Sequence, residues 1–431
     1  MGIICANQNF ESKKSNKIIK DQSLEAIDSM KIKSRQFKCL CFDSFQQRWL
    51  TKEYLLKLDK RIEIIDVYDG QILRLNRKFS ALNDEVFDNL EQIKYLQWVG
   101  KYGKNLQKIA KWTVDWNGQI LQTIGGYYSE SGQKIGIWKD LFKNYCSHVP
   151  VFQEGEYYSE KKLGRWIYIY KNTRIGGGVY KEGLKTGKWI ELDEGFFNSK
   201  QVTYKGEYNQ KGMKVGIWDI WFNCGLNKYM QNICKYNVYS GGGQYDQEGN
   251  QKKIGKWVEL FEGFQKYAQI TYNGEYNIHG IKVGRWDIIR FRDWMQTLYK
   301  YKEIYSGGGL YDQEGSQKKI GKWIELDEGF WDVKQVIYNG EYNMNGLKIG
   351  RWDVKFRYCS QEPFKQIGGG LYDQEGNQKK IGKWIELDEG FTNSKQVTHN
   401  GEYNINGRKI GIWMDMDIKN NRTREEVEYD Y

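Results

Sequence analysis

A chain of 431 residues carrying 48 Gly, 32 Tyr and 17 Trp against only 2 Pro is too aromatic for a disordered segment and too rich in glycine for a long helical array. Its net charge of +11 is the small difference between 66 basic and 55 acidic residues, so most charges have opposite-sign neighbours, which argues against a nucleic-acid surface. No apolar stretch reaches the roughly 20 residues that a membrane-spanning helix needs.

The chain opens with "MGIICANQNF". With Met removed, Gly2 resembles the acceptor of an N-myristoylation signal, although Ala6 stands where that signal prefers Ser or Thr. Cys5 is a convenient palmitoylation site, and Lys13, Lys14, Lys17 and Lys20 follow. One acyl chain holds a membrane only marginally, so a second acyl group or a basic cluster is what would make attachment durable. Residues 1–43 are accordingly expected to be a flexible basic segment, and residues 44–94 a small α/β capping region. Within the cap, "RIEIIDVYDGQILRLN" (61–76) reads as a hairpin around Asp69-Gly70. "NDEVFDNLEQIKYL" (83–96) reads as a helix with Asn83 as its cap and Val86, Leu90 and Ile93 on one face, packed as a lid on the first hairpin.

From residue 95 the chain repeats itself. Trp138, Trp166, Trp189, Trp218, Trp257, Trp286, Trp323, Trp352, Trp384 and Trp413 each follow a glycine two positions earlier, and an eleventh, degenerate unit ends at Trp112 with Ala110 in place of that glycine. Two unit types alternate: a long one, "IGGGLYDQEGNQKKIGKWIELDEGF" (367–391), and a short one, "YNGEYNMNGLKIGRWDV" (338–354). Trp189 to Trp218, Trp257 to Trp286, Trp323 to Trp352 and Trp384 to Trp413 are all 29 residues apart, so the pair is the true repeat. Each unit reads as a β-hairpin. Asn345-Gly346 predicts a two-residue type I′ turn, with Met344 opposite Leu347, Tyr342 opposite Ile349 and Glu341 opposite Gly350. A single hairpin is marginal in water, so neighbours must supply the stability. The predicted fold is mainly β: about eleven antiparallel hairpins over 95–417 in an elongated, twisted single-layer sheet, followed by a charged tail at 418–431.

The string Tyr338, Gly340, Glu341, Tyr342, Gly346, Lys348, Gly350 resembles the MORN repeat (membrane occupation and recognition nexus). The resemblance covers 95–417 and departs from the family in two ways: Trp replaces the second closing glycine, and long and short units alternate. It implies an elongated sheet and a scaffold or membrane-proximal adaptor. It names no ligand.

Catalytic, metal and cofactor residues are not expected. His148, His279 and His399 are too few and too scattered for a repeated site. Glu191, Glu259, Glu325 and Glu386, like Glu207, Glu275, Glu341 and Glu402, recur once per unit and read as ladders paired with Lys and Arg of adjoining strands. "GGG" at 307–309 lacks the Gly-Lys-Ser/Thr of a phosphate loop, and Cys39 and Cys41 lack a matching zinc-ligand pair. Seven cysteines out of step with the repeat point to a reducing, cytoplasmic setting. The expected role is a non-enzymatic scaffold for protein partners, tethered through its N-terminus to the cytoplasmic face of a membrane, with no nucleic acid and no small-molecule substrate. Direct binding of anionic lipid by the repeats and a regulatory subunit of an enzyme are the alternatives.

Overall fold

In the computed structural model, residues 33–43, 48–58, 64–68, 71–76, 89–223, 238–266, 268–292, 301–331, 333–359 and 362–430 are described. Gly2, Cys5, Asn83 and Val86 lie outside them. Residues 33–43, expected to be flexible, instead form β1 (Lys33–Asp43) of an antiparallel sheet completed in order by β2 (Arg48–Leu58), β3 (Ile64–Tyr68) and β4 (Gln71–Asn76). The short apolar run "CLCF" of β1 suits a strand, and basic composition alone does not prevent pairing. The hairpin read at 61–76 is present as β3 and β4, with Tyr68 opposite Gln71.

Helix α1 (Leu90–Tyr95) is capped by Asn89, whose side-chain oxygen accepts from the backbone N–H groups of Glu91 (3.0 Å) and Gln92 (3.4 Å). Leu90 and Ile93 are buried as predicted. The lid rests farther along than the first hairpin. Gln92 Nε2 donates to the carbonyls of Phe142, Lys143 and Tyr145, each at 3.1 Å, and Asn89 Nδ2 donates to Tyr145 O at 3.0 Å. Two buried amides thus satisfy a bend that would otherwise leave backbone carbonyls without partners.

From β5 (Leu96–Tyr102) onward, 23 strands follow one another in a single antiparallel sheet, each paired with its chain neighbours. The pairings run from β5 to the strand Arg422–Tyr429, and those two ends do not pair with each other, so the sheet is open. The tail predicted at 418–431 is therefore corrected: most of it is the last strand, with Val427 opposite Trp413. Arg424 is bonded to Asp417 across this pairing at 2.8 Å, while Glu425 stands opposite Asp415.

The predicted turn register is off by one residue. Tyr342 lies opposite Lys348 and Glu341 opposite Ile349. The reason is Asn343: its side-chain oxygen accepts from the N–H groups of Asn345 (2.9 Å) and Leu347 (3.0 Å), which encloses a three-residue loop. Only Gly346 takes positive φ (78°), where a type I′ turn needs two such residues.

The glycine of each G-x-W also takes positive φ, 60° at Gly350, beside a β-bulge. Ala110 holds the same conformation (φ 60°) without being glycine. Ala110→Gly is therefore expected to raise stability by about 0.5–1 kcal/mol. The check is the urea midpoint of the variant beside that of the native chain.

Candidate functional site

Every second residue of a strand faces the same side, and one side of this sheet carries a ring from every strand. From Tyr102 and Trp112 at one end to Trp413 and Tyr429 at the other, Tyr and Trp alternate across the sheet, neighbouring centroids 5.0–6.3 Å apart and planes nearly perpendicular. This edge-to-face geometry sets the positive rim of one ring on the negative face of the next. The ten predicted repeat tryptophans, with Trp112, are all 6% exposed or less. Their indole N–H groups donate to the carbonyl preceding the neighbouring Tyr, as Trp352 does to Glu341 O at 3.2 Å. Trp286 Nε1 alone of the ladder indoles lacks a partner.

Two recurring glycine motifs are explained by this ladder. Each Trp lies flat over a glycine of the preceding strand; a Cβ on Gly340 would stand 2.2 Å from Trp352 Cδ2. In the "GGG" of the long units, Gly309 plays that part for Trp323. Gly308 (φ 88°) meets the carbonyl of Trp286 so closely that a Cβ would fall 1.8 Å from its oxygen. The triplet is thus a packing device, in line with the sequence argument against a phosphate loop.

A polar row runs over the rings. Four residues before each ladder Trp stands a lysine whose Nζ lies 3.8–4.9 Å from the indole centroid, as Lys409 does at Trp413 and Lys185 at Trp189. Each long-unit glutamate joins two of these lysines. Glu325 takes Lys319, Lys348 at 3.5 Å and the Tyr342 hydroxyl at 2.9 Å. Glu191, Glu259 and Glu386 do the same with Lys185 and Lys214, Lys253 and Lys282, and Lys380 and Lys409. Burial alone would raise the pKa of Glu325, but Lys319, Lys348 and the Tyr342 hydroxyl outweigh it and hold the carboxyl below its usual range. The recurring "DEG" bends follow suit: Asp327 accepts from Gly329 N at 2.8 Å and binds Lys334 at 2.7 Å and Tyr338 OH at 2.9 Å.

These depressed values make stability depend on acid. A carboxyl whose folded pKa lies below its unfolded value, about 4.3 for Glu, contributes fully above that value and loses its contribution as pH falls through the folded one. Stability should thus be level above about pH 5 and decline toward pH 3. Glu325→Gln should make that decline shallower, as read from urea midpoints at each pH.

The last pair differs. His399 takes the place of Tyr338, with Nδ1 2.5 Å from Asp415 Oδ1 and Nε2 3.7 Å from Asp388 Oδ2. The two carboxylates sit on opposite ring nitrogens and cannot converge on one ion. No group of three His, Cys, Asp or Glu suited to a metal occurs among the described residues. The lysine row itself was legible as Lys four residues before every Trp, but sequence reasoning passed over it in favour of the tryptophans.

The ladder side holds a groove of about 950 Å³ lined by Lys319, Glu325, Lys348, Trp352 and Lys380. On the opposite side, Glu207, Glu275, Glu341 and Glu402 stand opposite Lys188, Lys256, Lys322 and Lys383. Ile217 (69% exposed), Ile137, Ile412, Val179, Leu310 and Leu371 lie exposed on that side. No helix among the described residues is long and apolar enough to cross a membrane. The chain matches no protein-family model and no curated protein sequence.

Proposed function

We propose that this chain is a non-enzymatic scaffold of divergent MORN-like type, whose sheet side opposite the aromatic ladder binds partner proteins and whose N-terminus adds a membrane tether. The observation that carries the reading is the exposed apolar series Ile137, Val179, Ile217, Leu310, Leu371 and Ile412, interleaved with Lys, Arg and Glu on the side of the sheet opposite the ladder. Apolar anchors within a polar surround are what protein interfaces use. The recurring acids of the ladder are engaged in ion pairs, which leaves them poor candidates for proton transfer.

The test is affinity purification with mass spectrometry of the native chain and of Ile217→Asp/Leu310→Asp, both checked for unchanged melting. Partners lost from the variant support the reading, and an identical set recovered from both overturns it. Tethering is tested separately: Gly2→Ala should move the protein from membranes to the soluble fraction, and Cys5→Ser should do so less completely.

A second reading, direct binding of anionic lipid, rests on the ladder side, where eight lysines face four glutamates in the last four pairs. Gly2→Ala protein that still floats with phosphatidylserine vesicles at low salt would favour it.

A further inference from the structure

Across five successive strands, from Lys161–Tyr170 to Lys214–Asn223, the side of the sheet opposite the ladder holds a groove of about 810 Å³. Val179, Ile190 and Ile217 line it and are exposed. Arg165, Arg174, Lys188 and Lys205 line it as well, all of them exposed. None of these four cations takes part in an ion pair among the described residues. Two carboxylates, Glu207 and Asp219, share the groove, so positive charge is in excess there.

The next two pairs are built differently. At the place of Ile217 they carry Arg285 and Arg351, bonded to Asp287 at 2.7 Å and to Asp353 at 2.8 Å. At the place of Lys205 they carry Asn273 and Asn339. Asp219 thus lacks the arginine that its equivalents hold, and an aliphatic side chain takes the position of a paired cation.

We propose that this groove binds an extended peptide segment of a partner protein in which aliphatic residues alternate with Asp or Glu. The proposal rests on the scaffold reading and gives the partner its chemistry. The aliphatic side chains rest on Val179, Ile190 and Ile217, and the carboxylates meet Arg165, Lys188 and Lys205. Neighbouring strands lie about 4.8 Å apart, so five of them span about 19 Å, which about six extended residues cover at about 3.3 Å each. Charge and apolar surface are interleaved along that span: Arg165 stands opposite Val179, and Lys205 opposite Ile190. A lipid gathers its charge in one head group and matches that spacing poorly. An acidic peptide meets it residue by residue.

The experiment offers the intact chain an array of labelled hexapeptides in which Leu or Val alternates with Glu, Ser or Lys, and reads affinity by fluorescence anisotropy at low salt. Glu peptides should bind about tenfold tighter than their Ser counterparts, and Lys peptides more weakly still. Salt should narrow the gap. Lys205→Asn/Ile217→Arg rebuilds the groove as the next pairs have it, and Arg165→Gln/Lys188→Gln removes two cations with little change of bulk. Either variant, if it melts like the native chain, should lose most of the preference for Glu. Equal binding of Glu and Ser peptides by the native chain, or the full preference kept in a variant of unchanged melting, would overturn the proposal. So would binding of phosphatidylserine vesicles through these residues by a chain that ignores every Glu peptide. The scaffold reading is judged separately: partners lost from Ile217→Asp/Leu310→Asp, with no preference for Glu here, would overturn this inference alone.

Discussion

Trp352→Ala is expected to lower the unfolding free energy by about 3–5 kcal/mol, the usual range for removing a packed core aromatic. Trp352 is 3% exposed, touches Tyr342 and Tyr372 edge to face at 5.2 and 6.3 Å, and carries Lys348 at 3.9 Å from its ring. Removing it opens the ladder in mid-array and leaves Lys348 without its aromatic partner. Because repeats contact mainly their neighbours, the loss should appear as fraying of the units beyond 340, read by hydrogen exchange, before the whole sheet melts. A neutral result would mean that the indole belongs to a binding surface and not to the structural ladder.

Gly340→Ala should cost about 2–4 kcal/mol through overlap alone, at or just above the ordinary range for overpacking. The added Cβ would stand 2.2–2.5 Å from three indole carbons of Trp352, and that ring is confined by its ladder neighbours. Gly118→Ala makes a telling control, since a Cβ there meets nothing within 4 Å, although φ of +82° still strains it. The decisive measurement is the double variant. With Trp352 already Ala, the second change at Gly340 should cost far less, giving a coupling energy of about 2 kcal/mol. Additive costs would show that glycine serves the backbone there and not the ring.

The same logic sets the strand Arg422–Tyr429 apart from the strands before it. The last strand has Val427 opposite Trp413, at the place in the strand pattern where Gly370 lies beneath Trp384. A side chain at that point would collide with an indole laid over it as Trp384 lies over Gly370.

Much of this was legible from residue order. The G-x-W period announced eleven hairpins, because repetition is a local property of the chain. The charge ladders at Glu191, Glu259, Glu325 and Glu386 were foreseeable in part: their partners are lysines, but on the same strand and two strands away, as Lys319 and Lys348 are for Glu325, and not on the adjoining strand. Other readings failed for physical reasons. Asn345-Gly346 suggested a two-residue turn, but the Asn343 side chain captured two backbone N–H groups and moved the register by one. Residues 33–43 and 422–429 lack the repeat signature, and so were assigned to a flexible segment and a tail, yet both pair as strands.

By itself, then, the order of residues determined the number of units, their hairpin character and which ring belongs to which strand. Only the tertiary structure decided what each glycine is for, because Gly340 and Gly350 are the same residue in the same motif. One is required by an indole lying on its α-carbon, and the other by positive backbone φ. It also decided that Lys162 meets the Gln153 amide where nine of its equivalents meet a carboxylate, since a missing methylene at Asp140, which stands where the later pairs have Glu, matters only once two strands are set side by side. Contacts across strands depend on distances of a few ångströms that a linear pattern does not carry.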